Sequence, residues 1–120
     1  MTYYAHSIYK YNTDIEKYET SLIPGSYINP NGNVDQTRSE SEIMKKCYSL
    51  IDECDSLVFS SVDGVIGKGV AEEIDYAMSI GLKVYYIFGN KLNEIKSIKI
   101  KPIENSTTQR IYATFDYEVV

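Results

Sequence analysis

The sequence predicts a single-domain α/β fold: a doubly wound, flavodoxin-like or Rossmann-like, mostly parallel sheet of about five strands with flanking helices. Short apolar runs that suit buried strands alternate with amphipathic segments of helical period. The 120 residues suffice for one three-layer core, and no repeat or linker divides residues 1–120. The order strand, helix, strand then predicts right-handed crossovers between parallel strands.

The first part of the chain is predicted to hold two strands and one helix. Residues 2–5 form an apolar, aromatic run, and Thr13 can begin a helix that ends before Pro24. The core face of this helix is predicted to consist of Tyr11, Ile15, Tyr18 and Leu22. Residues 26–30 follow as a brief strand, and the polar residues 29–38 as a loop.

The remainder is predicted to hold two further helices and four strands. Residues 39–54 carry an apolar stripe at helical spacing after a capping serine. The apolar face of the last helix consists of Val70, Ala71, Ile74, Ala77 and Met78, and Gly81 ends it. Strands are predicted at residues 56–60, which suit a central position, and at residues 83–89, 98–100 and 110–117.

Composition and charge limit the possible partners. The net charge of −5 gives no general attraction to a nucleic acid polymer or an anionic membrane. The first residues lack the features of a signal peptide, so we expect a cytoplasmic protein, in the host cytoplasm if it is phage-encoded. Cys47 and Cys54 are expected to be reduced thiols, since seven residues of helix rise about 10 Å. Two cysteines alone make no zinc site, and no metal is expected.

A glycine-containing loop after the central predicted strand is the predicted ligand site. Open α/β sheets bind ligands at the carboxyl ends of their strands. Gly67 and Gly69 let the backbone approach a ligand, and the helix start offers free amides. A dinucleotide fingerprint would need a third glycine at Glu72, and a P-loop would need Ser or Thr after Lys68. The alternative is a glycine turn that only redirects the chain.

Glu73 is the candidate nucleophile. In the predicted first turn of the helix Glu72 points into water, whereas Glu73 flanks the apolar stripe. The positive end of the helix dipole is expected to keep Glu73 ionised. Asp63 is either a second carboxylate or only part of an Asp63-Gly64 turn. Cleavage of a glycosidic bond requires two carboxylates, one to attack the anomeric carbon and one to protonate the leaving base.

These residues resemble a known family, the nucleoside 2-deoxyribosyltransferases and their relatives that hydrolyse nucleotide N-glycosidic bonds. The resemblance rests on Asp63-Gly64 and on residues 69–77 (Gly-Val-Ala-Glu-Glu-Ile-Asp-Tyr-Ala), which are similar to the family signature around its catalytic glutamate. Residues 54–58 are similar to the run before its central strand, and residues 3–7 to the end of its first strand. The similarity covers most of residues 2–88.

The resemblance implies roles for individual residues. Glu73 matches the nucleophilic glutamate, Asp63 the aspartate that contacts the base, and Tyr3 the tyrosine that orients the nucleophile. The family has a sugar-holding acid where this chain has Gly67, and the following Lys68 indicates a phosphorylated ligand. Neighbouring subunits complete each site in the family, so a homodimer or larger homo-oligomer is implied. No cofactor is implied.

The predicted substrate-binding residues lie at the ends of the predicted strands and at the helix start. They are His6, Ser7, Ser60, Gly67, Lys68 and Gly69. For His6, the only histidine, the alternative to proton transfer is a structural role.

Three functions therefore compete. The first is cleavage or deoxyribosyl transfer at the N-glycosidic bond of a small nucleoside or nucleotide. The second is a non-catalytic protein that sequesters a nucleotide or a cyclic ADP-ribose-like signal, as a viral antagonist of host signalling would. The third is an interaction protein that keeps the fold and uses its tyrosine-rich surface, since the chain has 12 Tyr and no Trp.

Overall fold

The computed structural model describes residues 1–105 and 110–120. The first half of the chain consists of β1 (Thr2–Ala5), a 3-10 turn (Ile8–Lys10), α1 (Asp14–Ser21), β2 (Tyr27–Ile28), α2 (Glu40–Ile51) and β3 (Ser56–Phe59). The second half consists of β4 (Ile66–Gly67), α3 (Lys68–Ser79), β5 (Lys83–Phe88), β6 (Lys91–Asn105) and β7 (Arg110–Val119).

The strands form a mixed sheet, so the predicted fold class is wrong. Within the described ranges, seven strands lie in the order β2-β1-β3-β5-β6-β7-β4. The strands β2, β1, β3 and β5 are parallel, as predicted for this part of the chain, but β6, β7 and β4 add to the sheet in antiparallel pairing. The protein is therefore an α/β protein with a seven-stranded mixed sheet and three α-helices in the described residues, instead of a doubly wound parallel sheet of five strands.

The change from parallel to antiparallel pairing has a local cause. Gly89 and Asn90 both have a φ of 60°, the left-handed conformation that a tight two-residue hairpin requires. The chain therefore reverses at once after β5, and Phe88 pairs with Lys91 without a crossover helix. The strands predicted at residues 98–100 and 110–117 are confirmed, but they belong to the long antiparallel strands β6 and β7.

Apolar clusters lie on both faces of the central strands, and the two faces differ in chemistry. The larger apolar cluster lies between the sheet and the helices α2 and α3, and it includes Leu57 and Phe59 of β3. The smaller cluster on the α1 face consists of Tyr4, Ile23 and Val58. Successive residues of β3 thus point into both layers, which confirms the prediction that this strand is buried on both faces.

The helix α1 packs through charged residues, so its predicted core face is wrong. Ile15 and Tyr18 are 55% and 46% exposed, whereas Glu16 and Glu19 are buried. The reason is Lys10, which is also buried and needs acceptors for its ammonium group.

The Lys10 ammonium is fully satisfied by three acceptors. Its Nζ lies 3.0 Å from Glu19 Oε2, 2.8 Å from Ser60 Oγ and 3.0 Å from the carbonyl oxygen of Ser61. Tyr4 and Ser60 donate their hydroxyls to the other oxygen of Glu19. This cluster joins the 3-10 turn, α1 and the end of β3, and so fixes the loop that follows β1.

None of the helices in residues 1–105 and 110–120 is both long and apolar enough to cross a membrane. Cys47 and Cys54 are both buried and unbridged, as predicted.

We predict that Lys10→Met destabilises the protein by about 3–5 kcal/mol, because Glu19 would remain buried without its cation. Lys17→Met removes an exposed lysine of α1 and should change stability by less than about 0.5 kcal/mol. Urea unfolding of both variants measures the difference. Equal stability of the two variants would show that the buried pair does not hold α1.

Candidate active site

One cavity of about 800 Å³ lies beside the carboxyl end of β1 and the starts of α2 and α3. Its volume falls within the range of about 300–1,000 Å³ that is usual for small-molecule sites. Much of its wall is apolar or aromatic, from Ile8, Tyr9, Tyr11, Ile43, Met44, Val62, Val65, Val70 and Tyr112. Its ionisable lining residues are His6, Glu40, Cys47, Lys68, Glu73 and the tyrosines.

Glu73 lines this cavity, and the rest of its side chain is enclosed by protein. Glu73 is only 6% exposed, and the hydroxyl of the fully buried Tyr3 donates a hydrogen bond to its Oε2. Tyr3 lies on β1 and Glu73 on α3, so the packing of α3 on the sheet brings them together. The structure thus joins two of the three residues predicted to be catalytic.

Burial controls the ionisation of Glu73. The helix α3 begins at Lys68, which places Glu73 in its second turn and beyond the strongest influence of the helix start. Burial raises the pKa of Glu73 to about 7, although hydrogen bonds from Tyr3 and Cys47 act to lower it. The expectation that the dipole keeps Glu73 fully ionised is therefore wrong, and both protonation states are populated near neutral pH.

Cys47 is a site residue that the sequence analysis missed. It lies on α2, is 4% exposed and lines the cavity, where its thiol interacts with Glu73 and Tyr3. Burial and the adjacent Glu73 carboxylate raise the pKa of the Cys47 thiol to about 11, so the thiol is a hydrogen-bond donor at neutral pH. In the sequence Cys47 is simply one member of an apolar stripe, and no local spacing links it to Glu73.

His6 forms part of the cavity wall but is held by other protein groups. Its Nε2 lies 2.8 Å from Glu16 Oε2 and its Nδ1 lies 3.2 Å from the carbonyl oxygen of Tyr4. The ring also stacks on Tyr4 at a centroid distance of 3.7 Å. Burial lowers the pKa of His6, whereas the Glu16 carboxylate raises it. With both nitrogens engaged, His6 has the structural role that was the alternative prediction.

Asp63 and Ser60 lie outside the cavity lining. Asp63 and Gly64 have φ values of 51° and 79° and form the exposed tip of a tight turn between Val62 and Val65. Ser60 points to the α1 side of the sheet, where it contacts Lys10 and Glu19. The Asp63-Gly64 pair thus has the turn role that the sequence left open, and its carboxylate is not placed beside Glu73.

The remaining predicted residues lie along the cavity wall. Gly67, Lys68 and Gly69 form the start of α3 and its approach, and all three line the cavity. Ser7 also lines it and accepts a hydrogen bond from the amide of Tyr9 at 3.2 Å, which caps the 3-10 turn. Across the described ranges, no group of three or more His, Cys, Asp or Glu side chains is positioned to hold a metal ion.

No family model matches the chain, and neither a curated protein nor a solved structure does. The resemblance of residues 63–77 and the homo-oligomer that it implies stay predictions. Function must therefore be inferred from the chemistry of the cavity itself.

We predict that Glu73 makes the stability of the protein fall as the pH rises. Its pKa is about 7 in the folded protein against a reference value of 4.5, so folding favours the protonated form. The contribution of protonated Glu73 to the free energy of unfolding is fully present below pH 4.5 and is lost as the pH rises through 7. The loss amounts to about 3 kcal/mol.

Urea unfolding between pH 4 and pH 8 tests this prediction. Glu73→Gln keeps an acceptor for Tyr3 but cannot titrate, so the stability difference between it and the wild type should change by this amount across the range. Glu72→Gln, which alters a partly exposed neighbour, is the control. Parallel curves for the wild type and Glu73→Gln would contradict the prediction.

Proposed function

We propose that the protein cleaves the N-glycosidic bond of a nucleoside or nucleotide bound in the cavity, or transfers the sugar to another base, with Glu73 as nucleophile. The observation that carries this proposal is the buried Glu73 carboxyl in the wall of a ligand-sized cavity, held at one oxygen by Tyr3. An ionised carboxylate has about four lone-pair positions, so hydrogen bonds from Tyr3 and Cys47 leave others for attack on carbon.

The lining of the cavity supports a nucleoside-sized ligand. Tyr9, Tyr11 and Tyr112 contribute aromatic side chains, and such rings stack on nucleobases of any sequence. Gly67 and Gly69 carry no side chains into the space, so a sugar can come close to the backbone there. The rest of the wall is mostly apolar, which suits the flat faces of a base.

The proposed reaction has two steps. The ionised Glu73 attacks the anomeric carbon while the carbon–nitrogen bond breaks, and the bond's electron pair leaves with the base, which takes a proton from water. Water, or a second base in the transfer reaction, then attacks the same carbon, gives up a proton and restores the carboxylate. Tyr3 orients Glu73 and stabilises its ionised form.

Binding without turnover is the second candidate, and one observation favours it. Asp63 was predicted to serve the leaving base, but it lies at an exposed turn outside the lining. Within the described lining, Glu40 is the other carboxylate besides Glu73, and it is paired with Lys68. A lining without a second unpaired carboxyl to protonate the base suits a protein that sequesters a nucleotide or a cyclic ADP-ribose-like signal.

We predict that the purified protein releases free base from one or more nucleosides or nucleoside monophosphates. Glu73→Gln should lower the rate by about a thousandfold or more, because the amide cannot attack carbon. Tyr3→Phe should lower it by about 10–100-fold, because it removes only the hydrogen bond that orients the carboxylate. The rate should rise as the pH approaches and passes 7, where Glu73 ionises.

Chromatography of the released base measures these rates, with Glu72→Gln as the control that retains activity. Base release that survives in Glu73→Gln would exclude the proposed mechanism. Tight binding by calorimetry, with the ligand recovered intact, would establish the second candidate instead.

A further inference from the structure

We propose that the cavity prefers nucleosides to their phosphates, and that Glu40 imposes this preference by holding Lys68 in an ion pair. This inference rests on the proposed function and names its substrate class. This inference differs from the expectation that Lys68 indicates a phosphorylated ligand, because Lys68 forms an ion pair with Glu40 in the structure.

The cavity has no spare positive charge for a phosphate. Lys68 is the one lysine or arginine in the described lining, which also holds the carboxyls of Glu40 and Glu73. His6 contributes no free donor, since both its ring nitrogens face protein oxygens, and the single N–H of the neutral ring is used by one of them. A phosphate inside this cavity would therefore meet more negative charge than positive charge.

Two carboxylates already neutralise Lys68. Its Nζ lies 2.8 Å from Glu40 Oε1 and 3.8 Å from Glu72 Oε1. Glu40 is the first residue of α2 and Lys68 the first residue of α3, so the pair joins the starts of two helices at the cavity. The Glu40 carboxylate thus lies beside the lysine where a phosphate would otherwise bind.

A phosphate could still displace Glu40, because exposed ion pairs are weak. Glu40 and Lys68 have 70% and 45% of their side-chain surface exposed. The displaced carboxylate would nevertheless remain within a few ångströms and repel the phosphate. At such separations near a protein surface, one repulsive charge changes affinity by about tenfold or more.

A neutral sugar, in contrast, suits this arrangement. Ionised carboxylates only accept hydrogen bonds. Glu40 and Glu73 can therefore accept hydrogen bonds from the hydroxyls of a nucleoside. The aromatic and apolar wall suits the base, which is uncharged. Each part of a nucleoside therefore has a matching surface. A phosphate would find the free amides at the start of α3, but the lysine beside them is already paired with Glu40.

The test compares the affinities of the common nucleosides with those of their 5′-monophosphates. Calorimetry is done in a Glu73→Gln background, so that turnover does not consume the ligand. The expected preference for the nucleoside is about tenfold or more. Adding Glu40→Gln should reduce this preference by about tenfold, chiefly through tighter binding of the monophosphate to the released Lys68.

Two further variants make the test specific. Adding Lys68→Met to Glu40→Gln should remove the gain for the monophosphate. Glu42→Gln, an exposed acid of the same helix outside the lining, should leave the preference unchanged. The inference would be overturned, and the proposed function left standing, if nucleosides bind but the monophosphates bind equally well or better. The same holds if Glu40→Gln leaves the preference unchanged. Failure of every nucleoside and monophosphate to bind would overturn the proposed function as well.

Discussion

The contact between Tyr3 and Glu73 is the interaction on which the rest of the site depends. It joins the first strand to the last helix through two side chains that are both buried, and it places a carboxyl in the wall of the cavity. A buried carboxyl is costly to ionise, and hydrogen bonds from Tyr3 and Cys47 only partly offset that cost. The result is an acid that titrates near neutral pH, a property that proton-transfer and nucleophilic sites share.

The two faces of the sheet position different parts of the site. On the α2 and α3 face, apolar packing brings Cys47 and Glu73 against Tyr3. On the α1 face, the ion pair between Lys10 and Glu19 and the contact between His6 and Glu16 hold the chain after β1. That chain supplies one wall of the cavity. The catalytic proposal therefore depends on a polar cluster of which His6 is the member that lines the cavity.

Local signals in the sequence were sufficient for part of this structure. Thr13 and Ser39 cap their helices as predicted, and the apolar run at residues 56–60 forms the buried strand β3. The antiparallel half of the sheet was missed although Gly89-Asn90 is a hairpin signal, because the alternation of strands and helices before it predicted a mostly parallel sheet. The face of α1 was missed because the burial of Lys10 depends on Ser60, which is distant in sequence. Glu73 was identified by its place beside the apolar stripe and then by resemblance, and Tyr3 by resemblance alone. The position of Asp63 depends on a turn that carries it away from the cavity.

The central claim is that Glu73 forms a covalent bond to the sugar. Fluorine at the sugar 2-position slows both the formation and the hydrolysis of such an intermediate, because both steps pass through oxocarbenium-like transition states. A fluorinated nucleoside with a good leaving base therefore lets the adduct accumulate, and mass spectrometry can detect it. The account predicts that one glycosyl unit is added to the peptide that contains Glu73, and that Glu73→Gln shows no adduct. An adduct on another residue, or base release from the natural nucleoside with no adduct from the fluorinated one, would contradict it.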